Sequence, residues 1–112
     1  MRGVDILYLI RYNIIMIEIE KTDIYQKWLE NLRDRRAKII ITARIKRLQM
    51  GNFGDCKFIN KKIYELRINY AKGYRVYFIN KNNKIILLLL GGDKSTQTKD
   101  IQKAIDMAEE LV

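Results

Sequence analysis

The sequence predicts an α+β fold: an antiparallel sheet, formed by a first strand and a three-stranded meander, with a helical hairpin on one face and a C-terminal helix. Three observations predict it. An alternating segment precedes two stretches of helical periodicity, three apolar or alternating segments then follow in close succession, and a last helical stretch follows a glycine pair. The 112 residues suffice for one domain with one core.

The first strand is predicted at residues 17–20, where apolar and acidic side chains alternate. Residues 1–15 are interpreted as an N-terminal extension, with translation beginning at Met16 and residues 16–112 forming the domain. The alternative is that residues 1–15 add a strand or a helix. Charged residues interrupt their apolar stretch and no small-residue cleavage site follows, so a signal peptide is not indicated.

Two helices are predicted next. Thr22 and Asp23 can accept hydrogen bonds from the free amide groups at the start of the first, which is about ten residues long. Asp34 can cap the second, which runs to about Met50 and ends at Gly51. Because the join between them is short, the helices are expected to form an antiparallel hairpin. The apolar stripe of the second helix is Ala37, Ile41, Ile45 and Leu48.

Three strands of a meander follow. Apolar and polar side chains alternate over residues 64–69 and again over residues 74–79. Residues 80–83 are a plausible hairpin turn because asparagine tolerates a positive φ. Residues 85–90 have no polar side, as expected for a central strand with a neighbour on each edge.

A final helix is predicted after the glycine pair at residues 91–92. Ser95 or Thr96 is expected to cap it. Its apolar residues recur at helical spacing, and they are Ile101, Ala104, Ile105, Ala108 and Leu111.

Charge and composition narrow the classes of function. Lys and Arg number 22 against 13 Asp and Glu, with a net charge of +9, so a polyanion is the first partner to consider. The chain has no His, which excludes a Ser-His-Asp hydrolase, a His-His nuclease and a His-based zinc site. A single cysteine, Cys56, excludes an intramolecular disulfide and indicates a reducing, cytosolic setting. No apolar run approaches the roughly 20 residues of a membrane-spanning helix.

The arginines of the meander are the best candidates for residues that bind or act on a substrate. Alternation places Arg67, Arg75 and Tyr77 on one sheet face, and Lys94 and Lys99 lie near the start of the last helix. The planar guanidinium of arginine donates two parallel hydrogen bonds and stays charged, which suits a phosphate. Against this, single exposed Arg and Lys residues usually belong to a solvated surface.

Two further side chains have open interpretations. Asp93 is either a general base or a helix cap. Cys56 is more often an inert small residue than a nucleophile when no His can activate it. Composition and periodicity alone therefore indicate a basic α+β domain without specifying a reaction.

Four segments, by their order and spacing, resemble the addiction-module killer proteins of the RelE/ParE superfamily, close to the HigB-like toxins. They are Trp-Leu-Glu-Asn-Leu-Arg-Asp at 28–34, Gly-Asn-Phe-Gly-Asp at 51–55, Glu-Leu-Arg-Ile at 65–68 with Gly-Tyr-Arg-Val-Tyr-Phe at 73–78, and Leu-Leu-Leu-Leu-Gly-Gly-Asp-Lys-Ser at 87–95. The resemblance covers nearly the whole chain. RelE-type enzymes have lysines where this chain has Ile63 and Glu65.

The resemblance implies the toxin of a type II toxin-antitoxin pair, cytoplasmic and neutralised by a helix-turn-helix antitoxin. It implies a ribosome-dependent mRNA endoribonuclease that needs no metal or cofactor, because the ribose 2′-hydroxyl of the RNA attacks the adjacent phosphate. The alternatives are a ParE-like poison of DNA gyrase and a non-catalytic, nucleic-acid-binding member of the module.

The same resemblance implies roles for individual residues. Arg75 would stabilise the phosphorane, Arg67 would orient the RNA backbone, and Lys94 would assist departure of the 5′-oxygen. Glu65 or Asp93 would accept the 2′ proton. The further expected RNA contacts are Tyr77, Lys99, Lys72 and Lys57.

Overall fold

The computed structural model describes residues 16–111, so the interpretation of residues 1–15 lies outside the described residues. The elements are β1 (Glu18–Lys21), α1 (Asp23–Glu30), α2 (Arg35–Gln49), β2 (Cys56–Asn60), β3 (Ile63–Ile68), β4 (Tyr74–Lys81), β5 (Ile85–Gly92) and α3 (Gln97–Leu111). No helix within this part of the chain is long and apolar enough to cross a membrane.

The five strands form one sheet in the order β1-β5-β4-β3-β2. The α+β class and the antiparallel meander are confirmed, but the sheet is mixed because β1 runs parallel to β5. The alternation of apolar and polar side chains predicts a strand, but it does not show whether the strand pairs in parallel or antiparallel. The long connection through two helices and three strands permits the parallel arrangement.

The meander has four strands where three were predicted, because Cys56–Asn60 forms β2 on the sheet edge. The prediction missed β2 because an edge strand that is mostly exposed has no clear apolar side. A turn at Lys61, with φ of 54°, joins β2 to β3 and lacks the usual glycine or asparagine. By contrast, the predicted turn between β4 and β5 is confirmed, with positive φ at Asn82 and Asn83.

The helical hairpin covers one face of the sheet, as predicted. Thr22 caps α1 by accepting a hydrogen bond from the amide of Tyr25, and Asp34 caps α2 by accepting from the amides of Arg36 and Ala37. The residues buried between this hairpin and the sheet include Tyr25, Ala37, Ile41, Leu48, Leu66, Val76, Phe78 and Leu88.

The opposite face of the sheet is covered by α3. Its Ala104 and Ala108 pack against Ile63, Tyr77 and Leu89. This face was expected to be a surface, but α3 buries most of it. The small side chains on α3 let the helix approach closely, so the sheet is sandwiched between two helical layers.

The start of α3 corrects the predicted cap. Asp93 caps the 3₁₀ turn that leads into the helix: its carboxylate accepts a hydrogen bond from the amide of Ser95 at 2.8 Å, and the hydroxyl of Thr96 accepts one from the amide of Asp93 at 3.2 Å. A single 3₁₀ turn, Lys94–Thr96, then leads into the α-helix at Gln97. The helix-cap interpretation of Asp93 is therefore confirmed.

Gly91 is needed where α1 meets β5. A Cβ atom on this residue would overlap the ring of Trp28. Trp28 in turn packs against Tyr25 and Tyr74, with ring centroids 5.8 and 6.4 Å apart. The close contact between helix and strand depends on the absence of a side chain at this position.

We expect Gly91→Ala to lower the free energy of unfolding by about 1–3 kcal/mol, because the added methyl group must displace the indole. Trp28 is the only tryptophan of the chain, so its fluorescence reports on the same contact during urea unfolding. An unchanged unfolding midpoint with unchanged emission would show that the indole has room to move.

Candidate functional site

The paired register of β3 and β4 brings the predicted arginines together. Arg67 lies directly opposite Arg75, and Glu65 lies directly opposite Tyr77. Directly opposed residues of antiparallel strands point to the same face, which here is the face that α3 covers. Sheet pairing therefore assembles two guanidiniums, a carboxylate and a phenol without any contribution from loops.

Glu65 is the centre of this group, and its side chain is completely buried. Its carboxylate accepts hydrogen bonds from Gln97 Nε2 at 2.8 Å, Arg67 Nε at 3.1 Å and the Tyr77 hydroxyl at 3.1 Å. Arg75 Nε lies 3.8 Å from the same carboxylate. We call these five residues the Glu65 network.

Opposing effects act on the pKa of Glu65. Burial alone raises it, but hydrogen bonds from Gln97, Arg67 and Tyr77 together with the charge of Arg75 outweigh burial and leave the pKa below its ordinary value. Burial and the neighbouring carboxylate raise the pKa of Tyr77. Glu65 is therefore an anion and Tyr77 a neutral donor, which is the charge state that holds both arginines.

The burial of Glu65 and Tyr77 bears on the roles predicted for them. Glu65 was a candidate proton acceptor, yet it has no exposed surface and each of its oxygens already accepts a hydrogen bond. Tyr77 was expected to contact RNA, yet its side chain is also fully buried. Arg67 and Tyr77 donate to the same carboxylate of Glu65, so Glu65 and Tyr77 help to hold Arg67 in place.

Arg75 is 8% exposed, and its Nε atom has no hydrogen-bond partner within residues 16–111. A buried donor without a partner costs about 1–3 kcal/mol, so holding Arg75 in this position lowers the stability of the folded protein. A Cβ atom on Gly73 would lie 3.5 Å from Lys94 Cβ and 3.9 Å from Arg75 Nη1. These are ordinary van der Waals distances, so glycine is favoured at position 73 by its φ of 72° and not by a lack of space.

Arg67, Arg75, Lys72 and Lys94 form what we call the cationic rim. The amide of Lys94 donates to the carbonyl oxygen of Lys72 at 3.3 Å, which joins the two loops at this end of the sheet. Arg67 is about one-third exposed and both lysines are exposed. Asp93 borders the rim, and hydrogen bonds from Ser95 hold its pKa below the usual range.

Two other predicted RNA contacts are lysines outside the four residues of the cationic rim. Lys57 is exposed on the edge strand, opposite Glu65. Lys99 is exposed in the first turn of α3. No hydrogen bond or salt bridge within the described residues ties either side chain to the cationic rim.

Two contributing residues were not predicted. Gln97 links α3 to Glu65, and Arg44 of α2 donates to the carbonyl oxygen of Arg67 at 2.7 Å. The partners are 32 and 23 residues apart in sequence, so no local pattern could have identified them. Both were indistinguishable from solvated polar residues until the tertiary contacts were known.

The remaining chemistry is limited. Burial raises the pKa of the Cys56 thiol to about 11, which keeps the thiol protonated and unreactive at neutral pH. Among residues 16–111, no three His, Cys, Asp or Glu side chains are grouped to hold a metal ion. The arrangement suits one task, the binding of an anion with tetrahedral oxygens by arginine and lysine.

Comparison with known proteins identifies relatives of the chain. The model of the family described as phage-derived protein Gp49-like (DUF891) matches residues 27–112. An uncharacterized protein of Haemophilus influenzae (strain Rd) is 55% identical over 95 residues, which cover 85% of this chain and 96% of that protein.

Two solved structures are similar. A chain in the toxin-antitoxin complex RelBE2 of Mycobacterium tuberculosis matches with a TM-score of 0.50 at 11% identity, over 71% of this chain and 93% of that chain. This likeness shows a common fold. The conserved hypothetical protein HP0894 of Helicobacter pylori matches with a TM-score of 0.48 at 22% identity, over 71% of this chain and 97% of that chain.

We expect Glu65→Gln to destabilise the protein by about 3 kcal/mol at neutral pH, because it leaves two arginines without their anion in a buried setting. The pKa of Glu65 is lowered by folding, so its contribution is present above the ordinary carboxyl value of 4.5 and is lost as the pH falls below it. The difference between parent and variant should therefore shrink in acid.

Urea unfolding between pH 7 and pH 3 measures this difference. Glu109→Gln is the matched control, because it removes an exposed carboxylate that pairs with Lys61 and should change stability little. A Glu65→Gln penalty that is constant across this pH range would contradict the assigned charge state.

Proposed function

Since the chain belongs to the phage-derived Gp49-like family (DUF891), we propose that it is the toxin of a type II toxin-antitoxin pair, and that it cleaves mRNA on the ribosome. The toxin role draws on the fold shared with a chain of the RelBE2 complex. The single observation that carries the cleavage is the pair of opposed arginines, Arg67 and Arg75, fixed by the buried Glu65 beside Lys94.

The reaction assigned to this site is transfer of the phosphate within the RNA. The ribose 2′-oxygen forms a bond to the adjacent phosphorus while the bond to the 5′-oxygen breaks, leaving a 2′,3′-cyclic phosphate and a 5′-hydroxyl. The substrate supplies the nucleophile, so the protein need only align it and stabilise charge. A site without histidine is sufficient for that task.

Each rim residue has a distinct part in this reaction. Arg75 neutralises the charge that develops on the phosphorane, and Arg67 orients the backbone through its exposed fork. Lys94 donates a proton to the departing 5′-oxygen. Asp93 caps the turn through Oδ1 and receives the 2′ proton on its other carboxylate oxygen, since it is partly exposed and borders the rim, unlike the enclosed Glu65. No metal or cofactor takes part.

The partners follow from this role. A small helix-turn-helix antitoxin, encoded beside the toxin gene, would bind the protein and prevent cleavage in the cytoplasm. The HigB-like subfamily remains our assignment from the four sequence segments. Lys72, Lys99 and Lys57 would attract the RNA by charge alone, and their loss should weaken binding more than it slows cleavage.

We expect Arg75→Ala to slow mRNA cleavage by about 100-fold or more, because one donor to the developing charge is lost. Purified ribosomes programmed with a defined mRNA measure the rate, and growth of cells expressing each variant gives a second readout. Lys84→Ala is the matched control: it removes one exposed charge from the β4–β5 turn and should cleave like the parent.

Equal cleavage by Arg75→Ala and Lys84→Ala would contradict the proposal. Growth arrest with intact mRNA and broken DNA would instead favour a poison of DNA gyrase. Absence of toxicity from the parent chain, expressed without the neighbouring gene, would favour a non-catalytic nucleic-acid-binding protein.

A further inference from the structure

Helix α2 carries six basic residues and no acidic residue among its 15 positions. An ordinary solvated helix mixes both signs, and pairs of opposite charge three or four residues apart stabilise it. Here every charge repels its neighbours, which costs the isolated helix stability. A charge pattern of one sign on a helix points to an anionic partner.

The six cations divide by what they contact. Arg44 is turned inward and donates to the backbone at Arg67, and Lys38 donates to the carbonyl oxygen of Glu30 at 2.9 Å. The other four are exposed, and none of them forms a salt bridge within residues 16–111. They are Arg35, Arg36, Lys46 and Arg47.

These four cations form two pairs at opposite ends of the helix. Arg35 and Lys46 are 11 residues apart, which corresponds to roughly 16 Å along the helix axis. Between them the exposed residues are the uncharged Ile39, Thr42 and Ala43, and the half-buried Lys38 flanks them with its ammonium bonded to the carbonyl oxygen of Glu30. The outer face of α2 is thus positive at both ends, and the exposed residues at its centre are uncharged.

Asp34 lies beside the first pair, and after the hydrogen bond from the amide of Ala37 the charge of Arg36 is among the causes that lower the pKa of Asp34, although the Asp34 and Arg36 side chains form no salt bridge. Asp34 uses its carboxylate to accept hydrogen bonds from the amides of Arg36 and Ala37, at 2.9 and 3.1 Å. It therefore faces the end of the helix, where it stabilises the first turn. The two cation pairs remain available to an outside anion.

We propose that this outer face of α2 docks on the backbone of double-stranded RNA. Each cation pair would contact one of the two phosphate rows that border the wide, shallow minor groove of an A-form helix. The small side chains of Thr42 and Ala43 would lie over the groove, where the Thr42 hydroxyl can reach a ribose 2′-hydroxyl. An amphipathic membrane helix would instead need a continuous apolar face, whereas Ile39 is the one large apolar side chain exposed on this face of α2.

This inference rests on the proposed function, because the ribosome is where the protein would meet duplex RNA. The two surfaces are nevertheless separate. Helix α2 packs on one face of the sheet, whereas Arg67 and Arg75 occupy the face that α3 covers. Arg44 connects them by bonding to the backbone of Arg67, so a docked duplex would hold the cationic rim at a fixed distance.

Binding to a roughly 16-base-pair RNA duplex, measured by fluorescence anisotropy at several salt concentrations, tests the proposal. The variants are Arg35→Ala/Arg36→Ala and Lys46→Ala/Arg47→Ala, and alanine favours the helix, so both should fold. The control, Lys81→Ala/Lys84→Ala, removes two exposed charges from the β4–β5 turn. Circular dichroism checks the helix content of all three.

We expect each helix variant to bind the duplex about tenfold more weakly, with the slope of log Kd against log salt reduced by about two, one unit for each lost phosphate contact. The control variant should bind like the parent. Arg75→Ala should also bind the duplex like the parent even where it no longer cleaves mRNA, which separates this proposal from the proposed function.

Three results would overturn the proposal. The first is a parent chain that binds no duplex RNA at about 100 mM salt. The second is an equal loss of affinity in the helix and control variants, which would show that net charge alone attracts RNA. The third is equal or tighter binding to a DNA duplex of the same sequence.

Discussion

The buried carboxylate of Glu65 is the interaction on which the candidate site depends. A carboxylate removed from water is costly unless several donors satisfy it, and here Gln97, Arg67 and Tyr77 do so while Arg75 supplies a second positive charge. The same contacts restrict the two guanidiniums. A flexible, exposed arginine would lose side-chain entropy on meeting a phosphate, whereas a fixed one has lost it on folding.

The register of β3 and β4 brings the side chains of the site together, and the helices add further hydrogen bonds. Because Arg67 faces Arg75 in the register of β3 and β4, a slip of one strand by one residue would send its arginine to the face of the helical hairpin and separate the pair. Gly92 lies opposite Arg75 on β5, and a Cβ atom there would overlap the side chains of Asp100 and Thr96 at the start of α3. The packing of α3 on the sheet brings Gln97 to the carboxylate of Glu65, so the geometry of the site depends on tertiary packing.

The sequence predicted the helices and most strands because local signals specify them. Asp34 at the start of α2 and the alternation in β3 and β4 were sufficient. The edge strand β2 and the direction of β1 were missed, since exposed strands lack a clear apolar side and pairing direction is set by distant segments. Arg67 and Arg75 could be placed on one face by alternation alone, but their burial by α3 could not, because it depends on how the last helix packs.

The central claim is that Glu65 acts through Arg75 on the phosphate, and a double-mutant cycle of single-turnover RNA cleavage tests it most directly. The four proteins are the parent, Glu65→Gln, Arg75→Ala and the double variant, each assayed under conditions where it is folded. The account predicts that Glu65→Gln slows Arg75→Ala by a clearly smaller factor than it slows the parent, because one of the two arginines that Glu65 holds is gone and only Arg67 remains to be disturbed. Equal, multiplicative losses in both backgrounds would contradict it.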